Sequence, residues 1–138
     1  MRAIEERQFN VMDRLEHMQE SLGRIEARQL VDQDSSQLKD YEFRVFSQFG
    51  EDGIIQFLLR NLDIENKVFV EFGVEDYNQS NTRFLLVNNN WRGLVIDSNE
   101  ENIEKIKKTA AYTLYGLTAA RAFVTRDNIN QLLTEHGI

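Results

Sequence analysis

The chain has no cysteine and no proline, and only two histidines and one tryptophan in 138 residues. Without cysteine there is no disulfide framework, no thiolate nucleophile and no cysteine metal site. His17 and His136 lie far apart in unlike contexts, which disfavours a zinc centre or a Ser-His-Asp arrangement, so no metal site is expected. His136 reads as a last-turn residue favoured by a helix dipole. Acidic residues outnumber basic ones, 23 to 16. The formal net charge of -7 argues against a nucleic-acid surface, because phosphate binding relies on clustered Lys and Arg. Lys105, Lys107 and Lys108 read as the solvated C-terminal end of a helix. No apolar run approaches the roughly 20 residues of a membrane span, and the N-terminus lacks the apolar core of a signal peptide. A cytoplasmic protein with no membrane span is the expectation. The absence of proline removes one class of turn and kink, without a functional implication.

The length fits one ordinary domain with a real core, but part of it is organised differently. Ile4, Val11, Met18 and Ile25 recur every seventh residue, with Leu15 and Leu22 in a second offset row. This is an a/d seam, with Met1, Gln8, Leu15, Leu22 and Gln29 at a and the first row at d. Residues 1–31 are read as a coiled coil, the alternative being an amphipathic helix docked on its own domain. So narrow a stripe suits a partner helix better than a globular core, and a homo-oligomer through residues 1–31 is expected. Branched residues at d with Leu at a favour trimers or tetramers over dimers, and Gln8 at a would fix register.

Residues 32–40 lose the heptad, gather Asp and Ser, and read as a linker. In residues 41–138 a short extended piece leads to a helix with Ile54, Ile55, Leu58, Leu59 and Leu62 on one face and Glu51 and Asp52 at its start. Lys67 to Phe72 is a strand. Ser80 is placed to cap a helix over Asn81 to Asn89, Gly93 to Asp97 is a second strand, and Ser98 with Glu101 forms a capping-box pattern for a helix to Lys108. A third strand is predicted within Ala111 to Tyr115 and a short fourth within Arg121 to Val124. A last helix starts at Thr125 or Asp127 and ends at Gly137. The pattern is α/β: a Rossmann-like parallel sheet of about three to four strands, preceded by the coiled-coil helix.

The segment Val68-Phe-Val-Glu-Phe-Gly-Val-Glu-Asp-Tyr77, followed by Leu94-Val-Ile-Asp97, carries the chemical signal. Each half is an apolar strand ending in a carboxylate, and ligands of such sheets sit beyond the carboxyl ends of the strands. Gly73 lets a ligand lie against the backbone, and Asp97 is placed to accept from a ribose diol. A pyrophosphate cofactor wants G-x-G-x-x-G, whereas one glycine is present here, followed by Glu75 and Asp76. Two acids repel phosphates and suit an ammonium or sulfonium, so S-adenosylmethionine fits better than a nicotinamide dinucleotide. The blander readings are a turn-capping carboxylate for Glu71, a helix-start role shared with Ser98 for Asp97, and plain helix capping for Ser80-Asn81-Thr82. Trp91 reads as a packing residue. Tyr77 reads either as a cover for the cofactor or as an exposed loop aromatic.

Ser47-Gln-Phe-Gly-Glu-Asp-Gly53, Val70-Glu-Phe-Gly73, Ser80-Asn-Thr82 and Trp91-Arg-Gly-Leu-Val-Ile-Asp97 together resemble the N-terminal half of FkbM-type class I S-adenosylmethionine-dependent methyltransferases. The likeness runs from about Phe46 to Asp127. It implies that Glu71 and Gly73 line the methionine side of the cofactor and that Asp97 binds the ribose. Gln48, Glu51, Asp52, Ser80 and Asn81 would lie around the pocket. It also implies methyl transfer to an oxygen of a small-molecule or saccharide acceptor, with catalytic residues unassigned. Val74-Glu75 departs from the small or second glycine residue common in such enzymes. Members of that class use a seven-stranded sheet, so the expectation is a cofactor-binding half without the acceptor side. The competing readings are a noncatalytic coiled-coil assembly module on a Rossmann-like scaffold and a nicotinamide-dependent oxidoreductase.

Overall fold

The computed structural model describes residues 2–138, and side chains from residue 4 onward. The place of Met1 at the head of the heptad therefore lies outside the described residues. A single helix, α1 (Arg2–Gln29), is followed by 3-10 turns at Leu30–Asp32 and Leu38–Tyr41. Then come α2 (Glu51–Asn61), β1 (Val68–Phe72), α3 (Arg83–Asn89), β2 (Arg92–Asp97), α4 (Glu100–Lys107), α5 (Ala110–Leu114), β3 (Leu117–Arg121) and α6 (Ile129–Glu135). The chain is thus mixed α/β, with a long N-terminal helix and a three-stranded parallel sheet in the order β1-β2-β3. Among the described helices none is long and apolar enough to cross a membrane.

Register sets the core. Phe69 aligns with Gly93 and Gly93 with Leu117, while Glu71 aligns with Val95. Parallel neighbours in register point to the same face. Phe69, Val95 and Leu117 therefore join Leu85, Leu86 and Trp91 with Ile103 and Ile106 of α4 in one buried cluster. Trp91 is a packing residue. Leu94 and Ile96, on the opposite face, are fully buried as well.

A second cluster joins Leu30, Tyr41, Phe43, Val45, Phe46 and Phe84. It is where α1 meets the rest of the chain. Glu16, Glu20, Gly23, Arg24, Ala27 and Leu30 are the residues of the α1 segment that lose exposure, and they follow a 4-3 spacing on the side away from the a/d seam. Gly23 permits this approach, since a methyl group there would collide with Val45 and lie 3.1 Å from the Phe84 ring. The two readings of α1 are therefore compatible. The helix docks on its own domain through one face and leaves Ile4, Val11, Leu15, Met18, Leu22 and Ile25 exposed on another.

Three local expectations are corrected. Ala111 to Tyr115 is not a strand, because Thr109 caps α5 by accepting from the Tyr112 N–H at 3.2 Å. The third strand is Leu117–Arg121, which takes in Arg121, and no separate fourth strand lies in residues 122–124. Ser98 does not cap α4; Asn99 does, accepting from the Glu101 N–H at 2.9 Å. Gly137, at φ 72, closes α6 with the paired bonds Gly137 N–H to Thr134 O and Ile138 N–H to Leu133 O, a glycine-centred helix stop.

Candidate functional site

The turn after β1 is built from alternating left-handed residues: Gly73 at φ 70, Glu75 at φ 51 and Tyr77 at φ 64. Two of the three carry a Cβ, so the backbone is held in a sparsely populated region that the surroundings must enforce. Asp97 and Tyr77 do this. The Asp97 Oδ2 atom accepts from the Glu75 N–H at 2.9 Å. Tyr77 is 2 % exposed, and its hydroxyl lies 3.1 Å from Thr82 Oγ1. Burial pushes the Tyr77 phenol far up, against the hydrogen bonds of Thr82 and Ser80. Tyr77 is thus neither an exposed loop aromatic nor a cover over the turn; it is the turn's internal support.

Glu71, at the end of β1, reaches the start of α3. Its carboxylate accepts from the Asn81 N–H at 3.0 Å, the Thr82 N–H at 3.1 Å and the Thr82 hydroxyl at 2.5 Å. Ser80 Oγ accepts from the Arg83 N–H at 3.0 Å. The strand end and the helix start are tied together by side chains, as the orphan N–H groups of a helix terminus require.

Between these pieces lies an open cavity of about 260 Å³, lined by Gln48, Glu71, Gly73, Val74, Glu75, Gln79, Ser80 and Asn81. Its lining contains two carboxylates and no Lys, Arg or His. A methyl group built on Gly73 would meet nothing within 4 Å, so the backbone there faces free space. Six of the residues singled out in the sequence meet at this cavity: Gln48, Glu71, Gly73, Glu75, Ser80 and Asn81.

Glu51, Asp52 and Asp97 lie outside its lining. Asp52 is 1 % exposed, and its Oδ2 accepts from the N–H groups of Val45, Phe46 and Ser47, each at 2.8 Å. It returns a bond from its own N–H to Ser47 Oγ at 3.0 Å, while Oδ1 is buried without a hydrogen-bond partner. Asp52 therefore shapes the segment that presents Gln48. Glu51 accepts from the Phe49 N–H at 2.8 Å. Burial raises its pKa, but bonds from its own N–H, Phe49 and Ser47, with the charge of Arg44, lower it more, and the net shift is downward. Asp97 is buried behind the wall. Its Oδ1 accepts from the Asn99 N–H at 2.8 Å and Asn102 Nδ2 at 3.2 Å, fixing the turn into α4.

Gln79 lines the cavity without having been singled out, and Val74 was named only as a departure from the glycine pattern. Gln79 adjoins the Ser80-Asn81-Thr82 segment, which is the one signal that pointed near it. Val74 was flagged by its place in the motif after Gly73, since its apolar side chain gives no chemical cue of its own. No protein-family model, curated protein or solved structure matches the chain.

Proposed function

We propose that this chain binds S-adenosylmethionine in the cavity beyond β1 and contributes the cofactor-binding portion of a Rossmann-like, FkbM-type methyltransferase. The observation that carries the reading is an acidic cavity at the carboxyl end of a parallel strand, with Gly73 facing open space and no cationic side chain in the lining. Ligands of open parallel sheets collect at that end. A sulfonium or ammonium is favoured where Glu71 and Glu75 converge, whereas a pyrophosphate is repelled. The alternating left-handed turn supports the same reading, since strained backbone concentrates at ligand sites. Methyl transfer would go to an oxygen of a small-molecule or saccharide acceptor, with rate enhancement coming mainly from holding the sulfonium methyl in line with that oxygen. The uncovered seam of α1 adds self-association with further copies of the chain to this reading.

Isothermal titration with S-adenosylhomocysteine, and in parallel with a nicotinamide dinucleotide, tests the proposal. Saturable heat with the first and none with the second is the expected result. Gln48→Ala, at an exposed lining residue, should weaken binding about fivefold, roughly 1 kcal/mol for a lost hydrogen bond. A folded chain that gives no heat with S-adenosylhomocysteine sinks the cofactor assignment. Preference for the dinucleotide would favour the oxidoreductase reading.

A further inference from the structure

The self-association inferred above acquires an orientation from the faces of α1. Docking onto the domain uses mainly heptad positions b and f, with Glu16, Gly23 and Leu30 at b and Glu20 and Ala27 at f, joined by Arg24 at c and by Gln19 at e, whose amide donates to Val45 O. Positions b, c and f are the outer ones of a coiled coil, and Gln19 alone of the docking residues borders the seam. The a and d residues Ile4, Val11, Leu15, Met18, Leu22 and Ile25 remain 49–62 % exposed. A second helix can therefore occupy the seam without displacing the first helix from its own domain.

The rows beside the seam decide which way that second helix runs. Position g carries Arg7, Arg14, Ser21 and Arg28, and position e carries Glu5, Met12, Gln19 and Glu26. In an antiparallel pair g faces g and e faces e. With full overlap, Arg7 then meets Arg28, Glu5 meets Glu26, and the Gln8 amide is buried against Ile25. Sliding by one heptad puts Arg14 on Arg14 and Gln8 on Met18. In a parallel, in-register pair g faces the following e: Arg7 meets Met12, Arg14 meets Gln19 and Ser21 meets Glu26. No like charges oppose, and the two Gln8 amides meet each other in one a layer, where each can satisfy the other. Like-charge opposition is a recognised device for excluding wrong pairings.

We propose that α1 binds α1 of a second copy of this chain in parallel and in register through its a/d seam. This rests on the self-association reading and narrows it. The domains, held on the b/f face, then sit on the outside of the coil and at the same end of it.

The cysteine-free sequence makes the test clean, because one introduced thiol reports alone. Light scattering of the unaltered chain should give an oligomer, and Gln8→Cys should form an interchain disulfide on mild oxidation. In either antiparallel register, Gln8 residues on opposite helices lie at least about 15 Å apart along the axis at 1.5 Å per residue, and no such bond forms. An oligomer that crosslinks only when Gln8→Cys is mixed with Ile25→Cys or Met18→Cys overturns the orientation and leaves self-association standing. A monomeric mass overturns both. Val11→Glu with Leu22→Glu, at exposed positions that the folded monomer tolerates, should abolish the oligomer with the circular dichroism signal kept. An oligomer that survives this change overturns the seam.

Discussion

Glu71 and Asp97 show how little of a strand-end carboxylate is left for a ligand once the turn beyond it is built. A carboxylate offers about four acceptor sites, and each of these two already spends three on its own chain. Glu71 borders the cavity with about one acceptor site to spare, whereas Asp97, outside the lining, serves the turn. Glu75 and Gln48, whose side chains border the same cavity, carry fewer internal duties. The sequence makes the carboxylates visible but not their partners, because Asn81 and Thr82, or Asn99 and Asn102, are brought to them by the crossing of helix and strand. Tyr77 is the clearest case. Nothing local marks a loop tyrosine at positive φ as buried, and it takes Thr82 across the turn to make it so. Its phenol should stay protonated in the folded chain above pH ~10, where an ordinary tyrosine ionises. A group whose folded pKa is raised gives stability that is fully present below its unfolded pKa and is lost as pH rises towards the folded one. Unfolding free energy should thus fall as pH is raised above ~10, where Tyr77 ionises on unfolding but not in the folded chain. The difference in tyrosinate absorbance between the folded chain and its Tyr77→Phe variant checks this, and a Tyr77 contribution appearing near pH ~10 in the folded chain would contradict it.

Among the elements, α1 carries the most consequential contact. Arg83, the first residue of α3, is nearly buried, pairs with Glu16 of α1 and lies with its guanidinium carbon 4.2 Å from the centre of the Phe46 ring. Its Nε is buried without a hydrogen-bond partner, so Glu16 is its principal compensation. Removing one member of such a pair strands the other. Glu16→Gln should destabilise the chain by about 1–3 kcal/mol, at the lower end because Glu16 is 44 % exposed and screened by solvent. Adding Arg83→Met should recover part of that loss, and urea denaturation of the two variants decides it; an unchanged midpoint for Glu16→Gln would remove the pair from the account. The heptad of α1 was legible because its period is long and regular. The docking face was not, since Glu16, Glu20, Gly23 and Ala27 look like any solvated stripe until Val45 and Phe84 are placed against them. The third strand was displaced for a similar reason. Leu117 to Arg121, with Ala119 and Ala120 at its centre, has little strand preference of its own, and becomes a strand because β2 offers it a parallel partner. Ala111 to Tyr115 looked more strand-like, but the Thr109 cap and two alanines favour a helical turn.

At the scale of the whole molecule, three parallel strands and their helices deliver one acidic cavity to the end of an edge strand. Gly73 N–H donates to Ile96 O and Arg92 N–H to Lys67 O, so the backbone groups of Val68, Val70 and Phe72 point away from β2. Phe72 is 58 % exposed at the mouth of that edge. A parallel strand left open on one side is a surface that a further strand can extend, beside the proposed cofactor site. The net charge of -7 and the acidic lining act in the same direction, favouring a cationic ligand over an anionic one. Under the proposed function, S-adenosylmethionine sits in the cavity beyond β1. Amide chemical-shift mapping of the 138-residue chain during titration with S-adenosylhomocysteine tests it most directly. Saturable shifts are expected at Gln48, at Gly73 to Glu75 and at Gln79 to Asn81, with α6 unaffected. No shift at high ligand concentration, or shifts confined to residues away from that cavity, would contradict it.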